Sequence, residues 1–277
     1  MQGSYGNIAA FRLHRPTSVA EACSLIGELG HDGVVMAGGI DLLQSLKAGR
    51  PAKDLVYLKA VDELRHIEAG DGVVRIGACA THRDLASDPT IAKHLPGVAR
   101  VWDAIGNVRV RVAGTIGGNV LAENPGYDGL PAMIALDAAA IFETDDGPQR
   151  IDTDHAWRGR PGLLSALEIP DRFGRLFSFD RTLKPVVSVA VAIATKDGMV
   201  EGVRAGIGCA YPHAVGGPLP IDAGASLEAV ATKAEELAGA FAEGLSDPLD
   251  DFVASRGYRR RMIAVLLARQ LRALCEA

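Results

Sequence analysis

Two glycine pairs, Gly38-Gly39 and Gly117-Gly118, are the residues of this chain whose type and setting could hold a ligand. The first lies in Val34-Val35-Met36-Ala37-Gly38-Gly39-Ile40-Asp41-Leu42-Leu43, the second in Val112-Ala113-Gly114-Thr115-Ile116-Gly117-Gly118-Asn119-Val120. Each joins an apolar run to a new segment, with a polar side chain just beyond. Glycine lets backbone N–H groups approach a ligand with no Cβ in the way, and it tolerates positive φ. Successive N–H groups in such a turn form a concavity that binds anions. Two of these turns in one small protein point to a ligand with more than one phosphate. Thr115 and Asn119 can add side-chain hydrogen bonds to phosphate, and Asp128 can accept one from a ribose or ribityl hydroxyl. Taken singly, each pair also reads as a plain tight turn. The combination says more than either part.

Other motifs are missing. Neither turn carries the Lys-Ser/Thr step of a P-loop, and neither reads G-x-G-x-x-G. Gly202, Gly206 and Gly208 recur at strand spacing instead. Cys23, Cys79, Cys209 and Cys275 form no C-x-x-C pair, so they read as small buried thiols rather than ligands of zinc or an iron–sulfur cluster. The seven histidines make no H-x-x-x-H or H-E-x-x-H pattern. No metal is assigned.

The chain has 277 residues, of which 48% are hydrophobic and 23% charged, the balance of a globular protein with room for two domains. A net charge of −5 carries no basic footprint for nucleic acid. Residues 1–5 lack a basic step into an apolar run, so no secretory leader is expected. No stretch reaches the ~18 apolar residues of a membrane helix; residues 130–142 come nearest and are broken by Asp137. A cytoplasmic protein is expected.

The elements that must position the turns follow from periodicity and caps. Residues 17–29 read as a helix led by a Ser or Thr cap with Glu21 in its first turn, and Gly30 ends it. Residues 34–37 form a strand into the first turn, residues 41–46 a short helix or turn, and residues 55–58 another strand. The first ~55 residues thus make a βαβ-type lobe. Strands are expected over residues 73–80, 138–143 and 163–169, a capped helix from Thr81, and a helix over 96–105. Pro170 to Gly174 punctuate the chain, and its character then changes. Residues 186–194 and 199–207 are strands joined through Lys196-Asp197-Gly198, residues 226–243 one helix, and residues 256–275 a last helix. Arg256, Arg259, Arg260 and Arg261 read either as a solvated helix face or as a contact for an acidic partner.

These residues resemble a known family. Ala37-Gly38-Gly39-Ile40-Asp41-Leu42-Leu43 and Thr115-Ile116-Gly117-Gly118-Asn119 look like the paired flavin signatures of the FAD-binding medium subunit of the molybdenum hydroxylases, the group of xanthine dehydrogenase and carbon monoxide dehydrogenase. The likeness runs along nearly the whole chain. Weaker landmarks are Phe11-Arg12-Leu13-His14-Arg15-Pro16, Arg75-Ile76-Gly77-Ala78, residues 163–170 and Tyr258-Arg259-Arg260-Arg261. The resemblance implies an α+β, vanillyl-alcohol oxidase-like (type 2) FAD-binding fold: subdomains 1–55 and 56–172 clasping the cofactor, and a C-terminal α+β domain, 173–277, of small antiparallel sheet and helices.

By the same resemblance, backbone N–H groups of both turns hold the pyrophosphate. The residues carried over are Val35, Met36, Ala37, Gly38, Gly39, Ile40, Asp41 and Leu42 from the first turn, and Thr115, Ile116, Gly117, Gly118 and Asn119 from the second. Asp128 matches the acidic residue that binds the cofactor's hydroxyl-bearing chain, and Ile105 and Leu163 match apolar positions around its rings. Arg181 stands where the family often has a lysine near the flavin; arginine is bulkier and keeps its charge, so it either stabilises reduced, anionic flavin or lies elsewhere. FAD is expected to be non-covalent, because His31 and His82 are poorly placed to tether it. No cysteine-rich insertion for a further cluster is present. The implied role is electron transfer from two [2Fe–2S] clusters on a small partner subunit to an external acceptor. A large molybdopterin subunit performs the hydroxylation, in a dimer of heterotrimers. The alternatives are a self-contained type 2 flavin oxidase or dehydrogenase acting on a small molecule, and a nucleotide-binding module without flavin.

Overall fold

Strand β1 (Arg12–His14), helix α1 (Val19–Leu29), strand β2 (Gly33–Met36), helix α2 (Ile40–Lys47) and strand β3 (Asp54–Tyr57) alternate along the first stretch of chain, and the strands pair in parallel in the order β1-β3-β2. The computed structural model describes residues 8–122, 124–153, 161–222 and 224–276; residues 1–5, read above for a leader, lie outside them. Helix α1 begins as its sequence requires. Ser18 accepts from the Glu21 amide, and the Glu21 carboxylate reaches back to the Thr17 amide at 2.7 Å. Because β2 feeds directly into the Gly38-Gly39 turn, the parallel sheet delivers that turn at its C-terminal edge. Asp54, buried beneath, ties β1 to β3 by bonding both Arg12 and His14.

The middle stretch opens with a hairpin, β4 (Ile67–Gly70) and β5 (Val73–Gly77), turned by Asp71-Gly72 at positive φ. Short helices follow: α3 (His82–Ser87), α4 (Pro89–His94), α5 (Pro96–Ala104), α6 (Val108–Ala113), α7 (Ile116–Val120) and α8 (Gly129–Ala135). Strands β6 (Ala139–Thr144), β7 (Gly147–Asp152) and β8 (Leu163–Pro170) complete an antiparallel sheet ordered β4-β5-β8-β6-β7. Val74, Ile76, Trp102, Met133, Phe142 and Leu167 fill the space between this sheet and the helices. Each such side chain is worth roughly 1.5–3 kcal/mol on burial.

A third, antiparallel sheet runs β9 (Leu176–Arg181), β10 (Ser188–Lys196), β11 (Met199–Gly208) and β12 (Val215–Pro218), with β13 (Ala225–Ser226) against β11. Helices α9 (Leu227–Thr232), α10 (Ala234–Gly244) and α11 (Arg256–Cys275) cover one face. Alternation along β10 sets both packings. Ala190, Ala192 and Ala194 point into the middle core, where small side chains admit α8, while Val189, Val191 and Ile193 meet Ile263, Leu267 and Leu271 of α11. The third sheet is thereby mortised to the middle lobe.

Two expectations need correction. The single helix over 226–243 is two helices, because Lys233 leaves helical geometry at ψ 8° and α10 starts anew. The basic run of α11 is neither one solvated face nor one free patch. Arg259 is buried and donates to the carbonyls of Val186 and Cys209 and to Asp251, while Arg256 and Arg260 pair with Asp247. A carbonyl-lined niche takes a guanidinium well because its fork of donors meets several acceptors at once.

Candidate functional site

Strand β2 ends at Met36, and α2 begins at Ile40 after three intervening residues. Gly39 is the N-cap of α2 at φ +71, a conformation in which a Cβ is strained, and no side chain caps the helix. A helix start leaves its first N–H groups without intrahelical partners. The amides of Gly39, Ile40 and Asp41 meet no acceptor among the described residues. Around them Val35 is exposed, and Met36, Ala37, Gly38, Ile40 and Leu42 are half-buried. This turn is open.

The second turn sits against it. A Cβ on Gly38 would lie 1.9 Å from the Ala113 carbonyl oxygen, so the two backbones touch and only glycine fits between them. Beyond that contact the second turn is stitched to its own lobe. Thr115 caps α7 by accepting from the Gly118 amide at 3.2 Å. The amides of Ile116 and Gly117 donate to Ala80 and Ala78, both at 2.9 Å. Asn119 accepts from the Gly129 amide at 2.8 Å and so fixes the head of α8. Ile116 and Gly117 are buried, and Gly118 alone is exposed. The expectation that both turns offer their amides alike therefore needs correction: those of Ile116 and Gly117 are used by the fold. What this turn still presents is the Thr115 hydroxyl proton and the Asn119 amide hydrogens.

Asp128 lies at the start of α8, 8% exposed. Its Oδ2 is 3.4 Å from Arg181 at the end of β9, and its Oδ1, buried, has no hydrogen-bond partner among the described residues. Burial pushes its pKa up, and the Arg181 charge works against that rise. An orphaned buried carboxylate oxygen is costly unless something donates to it. Arg181 is thus joined to Asp128, which the sequence left open. Ile105 and Leu163 are both buried, but in different cores: Ile105 under the middle helices, Leu163 with Ala22, Val56 and Leu64 beneath α1.

Three further residues belong to this region without having been assigned a place in it from the sequence. Tyr127 donates to Asp41 Oδ1 at 3.0 Å, linking the approach to α8 with the first turn of α2. Its place beside Asp128 was the only available signal. His82 is buried behind the second turn, its amide donating to the Gly114 carbonyl, and desolvation lowers its pKa to about 4. Cys209, at φ +61, donates its amide to Pro125 and so ties the end of β11 to the same segment.

The arrangement can hold an anion at α2 and a hydroxyl-bearing chain at Asp128. Among the described residues, no three His, Cys, Asp or Glu side chains group as metal ligands, and no helix is long and apolar enough to cross a membrane. A cavity of about 280 Å³ lies elsewhere, between the head of α1 and strands β4 to β8. Glu63, His66, Glu68, Arg75, Glu143 and Ser165 are among its lining residues, and none of the residues expected to bind is.

Comparison with known proteins matches residues 9–171 to a family described as the FAD binding domain in molybdopterin dehydrogenase. The carbon monoxide dehydrogenase medium chain of Afipia carboxidovorans is 31% identical over 94% of this chain and 95% of its own length. That of Hydrogenophaga pseudoflava is 35% identical over about half of each, 54% and 52%. The nicotine 6-hydroxylase medium subunit of Paenarthrobacter nicotinovorans is 26% identical over 95% and 97%. Among solved structures, a reconstituted CO dehydrogenase from Oligotropha carboxidovorans superposes with a TM-score of 0.86 at 26% identity, over 98% of this chain and 100% of that one.

Proposed function

The chain belongs to the family of FAD-binding domains in molybdopterin dehydrogenases, and from that premise we propose that it is the FAD-carrying electron-transfer subunit of a heterotrimeric molybdenum hydroxylase. Its α+β fold is that of the carbon monoxide dehydrogenase medium subunits, the vanillyl-alcohol oxidase-like type expected from the sequence. One observation carries the site: uncapped amides at Gly39, Ile40 and Asp41 lie beside the contact of the two glycine turns, and Asp128 supplies an orphaned buried oxygen. An anion and a polyol are the chemistries these two features lack. FAD has both in its diphosphate and ribityl chain, and when bound it supplies the one- and two-electron chemistry that links clusters to an acceptor.

In this reading the α2 amides and the helix dipole take the diphosphate. Thr115 and Asn119 donate from the facing turn. Asp128 accepts from a ribityl hydroxyl through Oδ1, while Arg181 holds its other oxygen and offsets part of the cost of burying the carboxylate. Val35, Met36, Ala37, Gly38 and Leu42 shape the first wall, and Ile116, Gly117 and Gly118 the second. Ile105 and Leu163 act from beneath, through the cores they belong to. The division into 1–55, 56–172 and 173–277 is supported by the three separate sheets. Partners are a small [2Fe–2S] subunit and a large molybdopterin subunit, assembled as a dimer of heterotrimers in the cytoplasm, with FAD held non-covalently. Expressed with its neighbouring genes, the chain should purify yellow, with one FAD per chain released by acid and two partner chains bound. A colourless preparation that refuses FAD, or a chain that turns over a substrate alone, contradicts the proposal.

A further inference from the structure

We propose that Tyr127 is a positioning residue of the anion site: its hydroxyl holds the Asp41 carboxylate off the first amides of α2 and so keeps them open to phosphate. The inference rests on reading that turn as the diphosphate seat. Asp41 is the second residue of α2. A carboxylate there is drawn to the unpaired amides by hydrogen bonding and by the helix dipole. Asp84, the third residue of α3, reaches back in this way, its Oδ2 taking the Thr81 amide at 2.8 Å. Asp41 makes no such bond, and α2 has no side-chain cap. Its Oδ1 accepts instead from Tyr127, 86 residues away in sequence.

Tyr127 is a suitable holder. Burial, then the bond to Asp41 and its charge, push the phenol pKa above its ordinary value, with the Asn124 side chain working the other way. The residue that follows it, Asp128, carries an orphaned buried oxygen of its own, a second unmet polar group next in sequence to the one that holds Asp41. Released from Tyr127, Asp41 would compete with phosphate as a second anion for the same three amides. The facing turn needs no such device, because Thr115 already closes the head of α7.

The test titrates the full, flavin-stripped chain with FAD and with ADP, for wild type, Tyr127→Phe, Asp41→Ala and the double variant. Tyr127→Phe keeps the ring, and thermal unfolding checks that each variant folds. A lost hydrogen bond to a charged group predicts affinity for both ligands about tenfold weaker in Tyr127→Phe. Asp41→Ala in that background should restore wild-type affinity or better, since the competing anion is gone. A merely structural Tyr127 gives no rescue, and that result overturns the proposal. Should Tyr127→Phe not fold, Asp41→Ala alone decides: equal or tighter binding supports the proposal and weaker binding overturns it. If wild type binds both ligands and Tyr127→Phe matches it, this inference falls and the diphosphate reading stands. If wild type binds neither, both fall.

Discussion

The two glycine turns look alike in sequence and differ in structure. Gly38-Gly39 follows a parallel strand, leaves the amides of Gly39, Ile40 and Asp41 without acceptors and heads a helix with no side-chain cap. Gly117-Gly118 heads a helix whose amides are already met by Thr115, Ala78 and Ala80. A glycine pair therefore does not by itself announce an anion site. What decides is whether the surrounding chain supplies acceptors first. The first turn leaves its amides unpaired, the second spends them on the fold, and Gly38 against Ala113 is where they meet.

Substitutions can break that contrast, the largest effect first. Gly38→Ala places a Cβ 1.9 Å from the Ala113 oxygen, so the lobes must part. It should cost on the order of 3 kcal/mol or more, as overpacking against backbone does, and abolish FAD retention. Gly118→Ala, exposed and 3.0 Å from the Thr115 hydroxyl, should cost under about 1 kcal/mol. Thermal unfolding and FAD content of the two variants check both. Equal losses would erase the distinction between the turns.

Acid sharpens it next. His82, behind the second turn, has its folded pKa lowered by burial to about 4 from 6.5. A depressed folded value means that its contribution is present above the unfolded pKa and is lost as pH falls from 6.5 toward 4. At 1.36 kcal/mol per pKa unit this amounts to on the order of 3 kcal/mol. His82→Phe, which cannot take the proton, should flatten that part of the pH–stability curve in denaturant melts. An unchanged curve would show that another group carries the acid loss.

Asp128 separates stability from binding. Burial raises its folded pKa, so its stabilising share is present below the unfolded pKa and is lost as pH rises through the folded one. In flavin-free protein, Asp128→Asn should therefore gain stability relative to wild type as pH rises through that value, while binding FAD about tenfold more weakly. Denaturant melts across pH and FAD titrations read the two effects, and an Asn variant that binds FAD like wild type would remove Asp128 from the site. Thr115→Ala has a small effect of a third kind. Losing the α7 cap should cost about 1 kcal/mol, measurable by chemical denaturation, whereas the first turn has no cap to lose.

Much of this architecture was legible in advance. Periodicity and caps placed α1, β2, β3, β10 and β11, because each has a strong local signal: a Ser18 cap with Glu21, β-branched runs, and the Asp197-Gly198 turn. Helices α4, α6 and α7 were not legible, since six residues or fewer carry too little period. The break at Lys233 was hidden in an alanine-rich run that reads as uniform helix. Within the site, residue types identified the turns and Asp128, but occupancy of amides is a tertiary property. Only the fold shows that Ala78 and Ala80 reach the second turn first, that Asp128 meets Arg181, or that Tyr127 meets Asp41 across 86 residues.

The most direct test is a crystal structure of the chain grown with FAD. The account predicts diphosphate oxygens within hydrogen-bond distance of the Gly39, Ile40 and Asp41 amides, and a ribityl hydroxyl on Asp128 Oδ1. Density for the dinucleotide in the cavity lined by Glu63 and Glu143, with those amides facing only solvent, would contradict it.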